Sequence, residues 1–396
     1  MALVGLWHLP GVAFINEIMR IVSLFANIGV AEAYLHEFRN VKVVVANELL
    51  KRRADLYQKI YPDTNMICGD ITNEDTYQHI LQQCIKLKVD TIMATPPCQG
   101  MSTAGQKIKF DERNSLVMHA IRLIHDLSPK YVLIENVTDF IITPIIYHGK
   151  ETMLPDVVHN ELDADYDIDI HTINTEDYGV PQTRARMIIL MTRHGETKKW
   201  ELPAKEAHKV TMAEAIGDIP SIDPFVKDLS SEEFHAKFPL YEERRKVALS
   251  ISRWNIPPVH VWRQVQTMQY TPTGQTAFDN PVAHRPVKED GSFVKGYHNT
   301  YKRQNWDTPA YTVTMDNRKI SSQNNVHPGR LVGQDDNGEN IYSDARTLTL
   351  YELMRIMSLP DNWNVPADTE EAFLRRIIGE GIPPLFIKKL FAKVAR

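Results

Sequence analysis

A cysteine follows directly on a predicted buried strand and stands between a proline pair and a glutamine. The segment TPPCQGMSTAG covers residues 95–105, and the apolar run VDTIMA precedes it. A thiolate is a strong, soft nucleophile, and prolines at the strand exit hold such a side chain outward. The alternative is a buried, inert thiol, the usual state of a free cysteine. The polar stretch after Cys98 favours the reactive interpretation, whereas the surroundings of Cys68 and Cys84 favour the inert one.

A carboxylate and an amide leave the end of another predicted strand. The segment VLIENV, residues 132–137, carries Glu135 and Asn136 at its end. A lone glutamate at a strand end is usually solvated. In a parallel sheet, however, Glu135 would lie on the same edge as Cys98, because the carboxyl ends of parallel strands meet there.

Three long polar side chains alternate where a further strand begins. The segment GVPQTRARMIIL places Gln182, Arg184 and Arg186 two residues apart, which puts them on one face of a strand. Aimed together near a thiol and a carboxyl group, they indicate a planar, polar substrate. The alternative is a solvated edge strand.

A second group of residues is typical of a nucleoside site. The segment SLFANIG, residues 23–29, leads from the first predicted strand towards a predicted helix, where main-chain N–H groups face a ligand. Glu48 ends the second strand, where carboxylates accept hydrogen bonds from ribose hydroxyls, and Asp70 ends the third, placed to accept from an adenine amine. The alternative is that each carboxylate caps the following helix. A dehydrogenase would need a glycine-rich fingerprint that this chain lacks.

The elements that must position these residues alternate along the first 190 residues. Strands are predicted at MRIVSLFA, VKVVVANE, NMICGDI, VDTIMATPP, YVLIENV and RMIILMT, with helices at GVAEAYLHEF, LLKRRADLYQKIY, TYQHILQQCIKLK and SLVMHAIRLIHDL. This order predicts an α/β fold with a mostly parallel, doubly wound sheet. After about residue 193 the alternation fades into a less regular region, followed by helices at TLYELMRIMSL and on both sides of the GEGIPP turn.

The composition is that of a soluble globular protein. The chain has 396 residues, 43% of them hydrophobic and 24% charged, and its three cysteines include no C-x-x-C pair. We therefore expect neither a disulfide framework nor a zinc site, no membrane span, and a cytoplasmic location. The apolar N-terminus lacks basic residues ahead of it and is interpreted as mature protein.

The charge is unevenly distributed. The net charge is −5, but residues 244–330 hold 13 Lys and Arg against 5 Asp and Glu, interleaved with nine aromatic residues. Such a stretch is typical of a phosphate-backbone footprint. A mixed surface around a small aromatic core is an equal alternative.

The order of these motifs resembles that of the cytosine-5 DNA methyltransferase family. The segments FANIG, ANE, GDI, PPCQGMSTAG, ENV, QTRAR, KRQNWDTPAYTVT, RTLTLYELMRIMSLPDNW and GEGIPP follow one another in the family's order and cover most of the chain. The resemblance implies a Rossmann-like S-adenosylmethionine-dependent methyltransferase domain at 1–193, completed by 370–396. It also implies a smaller, irregular target-recognition domain at 194–369.

The resemblance further implies S-adenosylmethionine as cofactor and S-adenosylhomocysteine as product. Phe25 and Ile71 would pack against the adenine, with Glu48 on the ribose and Asp70 on the amine. The segment from Gln99 to about Arg113 would close over DNA. The implied cofactor contacts are Phe25, Ala26, Asn27, Gly29, Glu48, Asp70, Ile71, Pro96 and Leu116, and the implied substrate or DNA contacts are Gln99, Ser102, Asn136, Gln182 and Thr312.

By the same resemblance, the Cys98 thiolate adds to carbon 6 of a flipped-out cytosine, and carbon 5 then attacks the sulfonium methyl. Glu135 would donate a proton to ring nitrogen 3, Arg186 would hold the 2-oxygen, and Arg184 a backbone phosphate. No metal is required.

Two positions depart from the family pattern: Asn27 stands where glycine is common, and Glu380 where asparagine is usual. Glu380 would either turn away from the cofactor or meet its amino group. The partner implied is double-stranded DNA, bound by a monomer, with a restriction endonuclease acting separately. The alternatives are the same chemistry on RNA, whose relatives carry a later cysteine that this chain lacks, and a DNA-binding relative without catalysis.

Overall fold

A seven-stranded sheet forms the centre of the computed structural model, which describes residues 18–97 and 115–395. Its strands are β1 (Met19–Leu24), β2 (Val41–Glu48), β3 (Asn65–Cys68), β4 (Thr91–Ala94), β5 (Tyr131–Asn136), β8 (Tyr166–Asn174) and β9 (Ala185–Arg193). Their order is β3-β2-β1-β4-β5-β9-β8, and β9 is antiparallel to both neighbours. The predicted α/β fold with a mostly parallel, doubly wound sheet is confirmed. Six of the seven strands follow from the sequence; β8 does not.

Helices α1 (Lys51–Ile60), α2 (Glu74–Lys86), α3 (Val117–Leu127) and α4 (Leu154–Leu162) connect these strands. The first three coincide with predicted helices. Helix α2 begins at Asn73, whose side chain accepts hydrogen bonds from the N–H groups of Asp75 and Thr76. A hairpin, β6 (Pro144–Tyr147) with β7 (Lys150–Met153), lies between β5 and α4.

The helix predicted at residues 29–38 is wrong. The segment forms turns and a single 3-10 turn at Leu35–Glu37. Val30 and Ala33 pack into one apolar core, whereas Leu35 packs into another. Because the segment serves two cores, tertiary packing overrides its helical propensity.

The rest of the chain is less regular. It contains α5 (Met212–Ile216), β10 (Phe225–Val226), α6 (Ser231–Lys237), α7 (Tyr241–Ile251), β11 (Val259–His260), α8 (Trp262–Gln269), β12 (Leu331–Gln334) and β13 (Asn340–Tyr342), followed by α9 (Leu350–Ile356), α10 (Glu371–Ile378) and α11 (Pro384–Phe391). The three last helices fall where the sequence predicts them.

The apolar cores cross the predicted domain boundaries. One core lies wholly between Val226 and Ala345. Another joins Ile28 and Val30 to residues of α5, α9 and α10, and α11 packs beside β1. The division at residues 193/194 and 369/370 stays a prediction. Within the part of the chain that the structure describes, no helix is long and apolar enough to cross a membrane.

Candidate active site

The segment that leads to Cys98 is held at the carboxyl edge of the sheet. Beyond β4, Thr95 donates its main-chain N–H to the carbonyl of Leu24 (3.2 Å). The Asn136 side chain donates to the carbonyl of Pro96 (3.1 Å). Asn136 is buried, and this hydrogen bond connects it to the segment; its contact with a substrate stays a prediction. Cys98, Gln99 and Ser102 lie outside the described residues.

Glu135 and Arg186 meet at this edge. Because β9 runs antiparallel to β5, its beginning lies beside the end of β5. The Nε atom of Arg186 lies 2.8 Å from Oε1 of Glu135, and both side chains are largely buried. Burial raises the pKa of Glu135, while Arg186 and Arg184 act in the opposite direction. The sequence-based prediction that these two side chains converge agrees with this geometry.

Gln182 and Arg184 bind protein backbone in this structure. Gln182 accepts from the N–H of Val313 (3.0 Å), and Arg184 donates through Nη1 to the carbonyl of the same residue (2.9 Å). Arg184 also donates through Nη2 to the carbonyl of Gly379 (3.0 Å). Both side chains are almost fully buried. The expectation that Arg184 holds a DNA phosphate, and that Gln182 touches DNA, differs from this placement, since neither side chain reaches the surface.

Thr312 lies on the exposed side of the segment that these two residues hold. Its Oγ1 donates to the carbonyl of Thr183 (2.7 Å). The N–H of Thr183 in turn donates to the carbonyl of Ala310 (2.8 Å). Residues 182–184, which lead into β9, are thus hydrogen-bonded to residues 310–313 just before Arg186 in the chain.

The loop after β1 has an unusual backbone. Phe25, Asn27 and Gly29 have positive φ angles of 59°, 54° and 79°. Asparagine and glycine tolerate this region, whereas phenylalanine adopts it only under local constraint. Ala26 is buried and donates its N–H to the carbonyl of Asn47 (2.9 Å), which fixes the loop to β2. Asn27 therefore keeps the turn that glycine would allow.

The two predicted nucleoside carboxylates lie in different surroundings. Glu48 is buried and accepts from the N–H groups of Asn27 (3.0 Å) and Leu50 (2.9 Å). Asp70 is exposed and accepts from the N–H of Thr72 (2.9 Å). The N-cap residues of α1 and α2 are Leu50 and Asn73, so neither carboxylate is the N-cap of the helix that follows.

The remaining predicted cofactor contacts frame the same edge. Ile71 and Pro96 are buried, while Leu116 is half-buried at the start of α3. Of the two other cysteines, Cys84 is buried as expected, and burial raises its pKa to about 12. The expectation for Cys68 is wrong: this thiol is exposed at the end of β3.

Glu380 meets protein groups that the sequence does not predict. Its carboxylate pairs with Arg53 of α1, with Nη1 at 2.8 Å from Oε2, and accepts from the side chain of Asn27 (3.3 Å). Arg53 stands 327 positions earlier in the chain, and no local signal marks it. The two departures from the family pattern, Asn27 and Glu380, therefore contact each other.

Comparison with known proteins gives concordant similarities. The family described as C-5 cytosine-specific DNA methylase matches residues 19–396. The type II methyltransferase M1.HgaI of Avibacterium volantium is 40% identical over 94% of this chain and 97% of its own length. M.XorII of Xanthomonas oryzae pv. oryzae is 26% identical over 78% of this chain and 69% of its own length.

Solved structures share the fold. A Spodoptera frugiperda DNMT2 mutant covers 96% of this chain and 100% of its own, with a TM-score of 0.57 and 14% identity. The Entamoeba histolytica methyltransferase EhMeth covers 96% of this chain and 98% of its own, with a TM-score of 0.58 and 14% identity.

Proposed function

The chain belongs to the C-5 cytosine-specific DNA methylase family, and from that membership we propose that it transfers a methyl group from S-adenosylmethionine to carbon 5 of a flipped-out cytosine through a covalent adduct with Cys98. It is a DNA cytosine-5 methyltransferase with type II restriction-modification relatives. The observation that carries the proposal is the Glu135–Arg186 pair, 2.8 Å apart, on the edge where the chain enters the Pro-Cys-Gln segment.

The cofactor end fits a nucleoside. Glu48 is buried and its carboxylate is oriented by two main-chain N–H donors, yet a carboxylate has further lone pairs for ribose hydroxyls. Phe25 is half-buried and Ile71 buried, which suits them to an adenine ring, and Asp70 offers an exposed carboxylate nearby in the chain. When bound, S-adenosylmethionine supplies an electrophilic methyl group on sulfur.

Cys98 begins the reaction as a nucleophile. Its thiolate forms a bond to carbon 6 of the cytosine, and the ring's electron pair becomes available at carbon 5. Glu135 donates a proton to ring nitrogen 3, which burial favours because it raises the pKa of this carboxyl group. Arg186 holds Glu135 and donates to the 2-oxygen. After methyl transfer a base removes the carbon-5 proton, and the bond from sulfur to carbon 6 breaks.

The target carbon is unreachable inside a duplex, so the base must leave the stack. We infer that Thr312, on the exposed side of the segment beside Arg186, supports the DNA backbone at the flipped nucleotide. The basic and aromatic residues between 244 and 330 would hold the distorted duplex. The proposal includes a monomer acting in the cytoplasm on double-stranded DNA, with any cognate endonuclease acting separately.

A trapping experiment tests the covalent step. Duplex oligonucleotides carrying 5-fluorocytosine at every cytosine are incubated with the protein and S-adenosylmethionine. We expect an adduct resistant to denaturation, mapped by mass spectrometry to Cys98, and none with Cys98→Ala, which should still bind DNA. Methyl transfer to transfer RNA but not to any duplex DNA would contradict the choice of substrate.

A further inference from the structure

Asn27 lies between two carboxylates from distant parts of the chain. Its main-chain N–H donates to Oε2 of Glu48 (3.0 Å), and its side-chain Nδ2 donates to Oε2 of Glu380 (3.3 Å). The first carboxylate ends β2, and the second follows α10. With φ at 54°, Asn27 holds a backbone conformation that most residues avoid. One residue thus connects the loop after β1 to both carboxylates.

Arg53 supplies the positive charge that pairs with the Glu380 carboxylate. Its guanidinium reaches both oxygens of Glu380, with Nη1 at 2.8 Å from Oε2 and Nη2 at 3.1 Å from Oε1. Each side chain is only 20% exposed. A two-point arginine–carboxylate pair that is largely shielded from water is stronger and better oriented than an exposed pair.

The turn that carries Glu380 is fixed from other directions. The carbonyl of Glu380 accepts from Nη2 of Arg184 (3.4 Å). The adjacent Gly381 packs against Val30, which follows the loop after β1. A Cβ atom on Gly381 would come within 2.9 Å of Cγ1 of Val30. The Glu380 carboxylate is therefore presented to Asn27 by a turn with little freedom to move.

We propose that Arg53 and Glu380 are positioning residues for the methyl donor: with Asn27 they hold the loop at residues 25–29, and through it Glu48, in the conformation that receives the nucleoside. This inference rests on the proposed function, because it assumes that the loop binds S-adenosylmethionine. In this assignment Glu380 acts on the loop through Asn27, Arg53 acts through Glu380, and neither side chain touches the ligand. Their loss should therefore weaken every ligand that uses the nucleoside part of the site, whether or not the ligand carries an amino-acid tail.

Two ligands separate positioning from direct contact. S-adenosylhomocysteine has the amino-acid tail and 5′-methylthioadenosine lacks it, and both are measured by calorimetry without DNA. For Glu380→Ala we expect the Kd of both ligands to rise by about tenfold, as for the loss of a hydrogen bond to a charged group. A rise for S-adenosylhomocysteine alone would mean that Glu380 contacts the tail, and would overturn the proposal.

Helix α1 offers a matched control. Arg52 also pairs with a glutamate near the C-terminus, Glu370, but both side chains are about 60% exposed. Arg52→Met should leave both Kd values unchanged, Arg53→Met should raise them, and Arg53→Lys should restore part of the loss. If Glu380→Ala does not fold, Asn27→Gly removes the side-chain bond while keeping a backbone that allows positive φ. Unchanged Kd values in a folded Glu380→Ala or Asn27→Gly protein would overturn the proposal.

Steady-state kinetics give a second readout. Because positioning acts on donor binding, we expect the KM for S-adenosylmethionine to rise in Glu380→Ala and kcat at saturating donor to change less than about twofold. A fall in kcat with the KM unchanged would contradict the assignment. If the wild-type protein binds neither nucleoside, the proposed function is wrong; if it binds both and the variants bind equally well, only the positioning role of Arg53 and Glu380 is wrong.

Discussion

Arg186 and Glu135 form an ion pair in which Arg186 opposes the effect of burial on the pKa of Glu135. Their Nε and Oε1 atoms are 2.8 Å apart, and burial raises the pKa of Glu135 while Arg186 lowers it. The antiparallel pairing of β5 with β9 brings together residues that are far apart in sequence. An arginine that both orients the acid and limits its proton affinity sets the pH range in which Glu135 can donate.

This pair predicts a specific pH dependence. Methyl transfer by the wild-type enzyme should fall on the alkaline side as Glu135 loses its proton. Arg186→Met removes the charge that lowers this pKa, so the alkaline limb should move to higher pH while the maximum rate falls. Glu135→Gln should lower kcat by about 10²–10⁴-fold. The measurement is kcat against pH with saturating DNA and donor; a limb that moves to lower pH in Arg186→Met contradicts the role given to Glu135.

Arg184 should behave as a structural residue and not as a phosphate ligand. Its guanidinium donates to the carbonyls of Val313 and Gly379 and is buried. Arg184→Met leaves buried carbonyl groups without donors, which should lower the free energy of unfolding by about 2–4 kcal/mol. Urea denaturation measures this change.

DNA binding provides the complementary test of Arg184. A lost phosphate contact would reduce the slope of log K against log salt by about one. We expect the slope of Arg184→Met to equal that of the wild type, measured at a temperature where both proteins are folded. A reduced slope with unchanged stability would restore the phosphate interpretation.

Much of the sheet was predictable because its signals are local. The strand YVLIEN begins with four apolar or aromatic residues, and all six of its residues are buried. By contrast β8 reads YDIDIHTIN, an alternation of apolar and acidic or polar residues that fits a strand at the edge of the sheet. That period of two is visible in the sequence, but its acidic content weakens the apolar signal.

The site residues were predictable where the chemistry requires a particular side chain. They were less predictable where tertiary packing decides which way a side chain points. Glu135 could be anticipated beside the Cys98 segment because the carboxyl ends of parallel strands meet at one edge. Arg186 joins it because β9 begins at that edge and runs antiparallel to β5. Arg184 has the same alternation as Arg186, and nothing local distinguishes a guanidinium that turns inward to carbonyl groups from one that faces a ligand. The contact of Arg53 with Glu380 could not be predicted, because it depends on where α10 ends relative to α1 in the folded chain.

A buried ion cluster joins the end of the irregular region to α9. Arg346 contacts Asp344 (2.9 Å) and Glu352 (2.9 Å), and all three side chains are buried. Although burial opposes it, His327 and Arg346 lower the pKa of Asp344. Arg346→Met would leave two buried carboxylates without their cation, so we expect the free energy of unfolding to fall by about 3–5 kcal/mol.

The control for this cluster is an exposed pair of the same kind. Lys51 and Asp55 lie 2.7 Å apart on α1 with side chains that are 79% and 55% exposed. Lys51→Met should leave the urea midpoint unchanged, because water and salt screen such pairs. If Lys51→Met and Arg346→Met change the free energy of unfolding equally, the buried cluster stabilises the fold no more than an exposed ion pair does.

Glu32 should make the protein less stable at high pH. Burial raises the pKa of this carboxyl group from 4.5 to about 7, while hydrogen bonds with Ser23 and Tyr57 lower it. The folded state therefore binds this proton more tightly than the unfolded state. The corresponding stability is fully present below pH 4.5 and is lost as the pH rises to about 7.

The variant Glu32→Gln tests this titration because it removes the ionisable group. The free energy of unfolding of Glu32→Gln relative to the wild type should increase between pH 5 and pH 8, by at most about 3 kcal/mol. Urea denaturation at the two pH values measures this difference, and a constant gap between the two proteins would show that Glu32 does not titrate in this range.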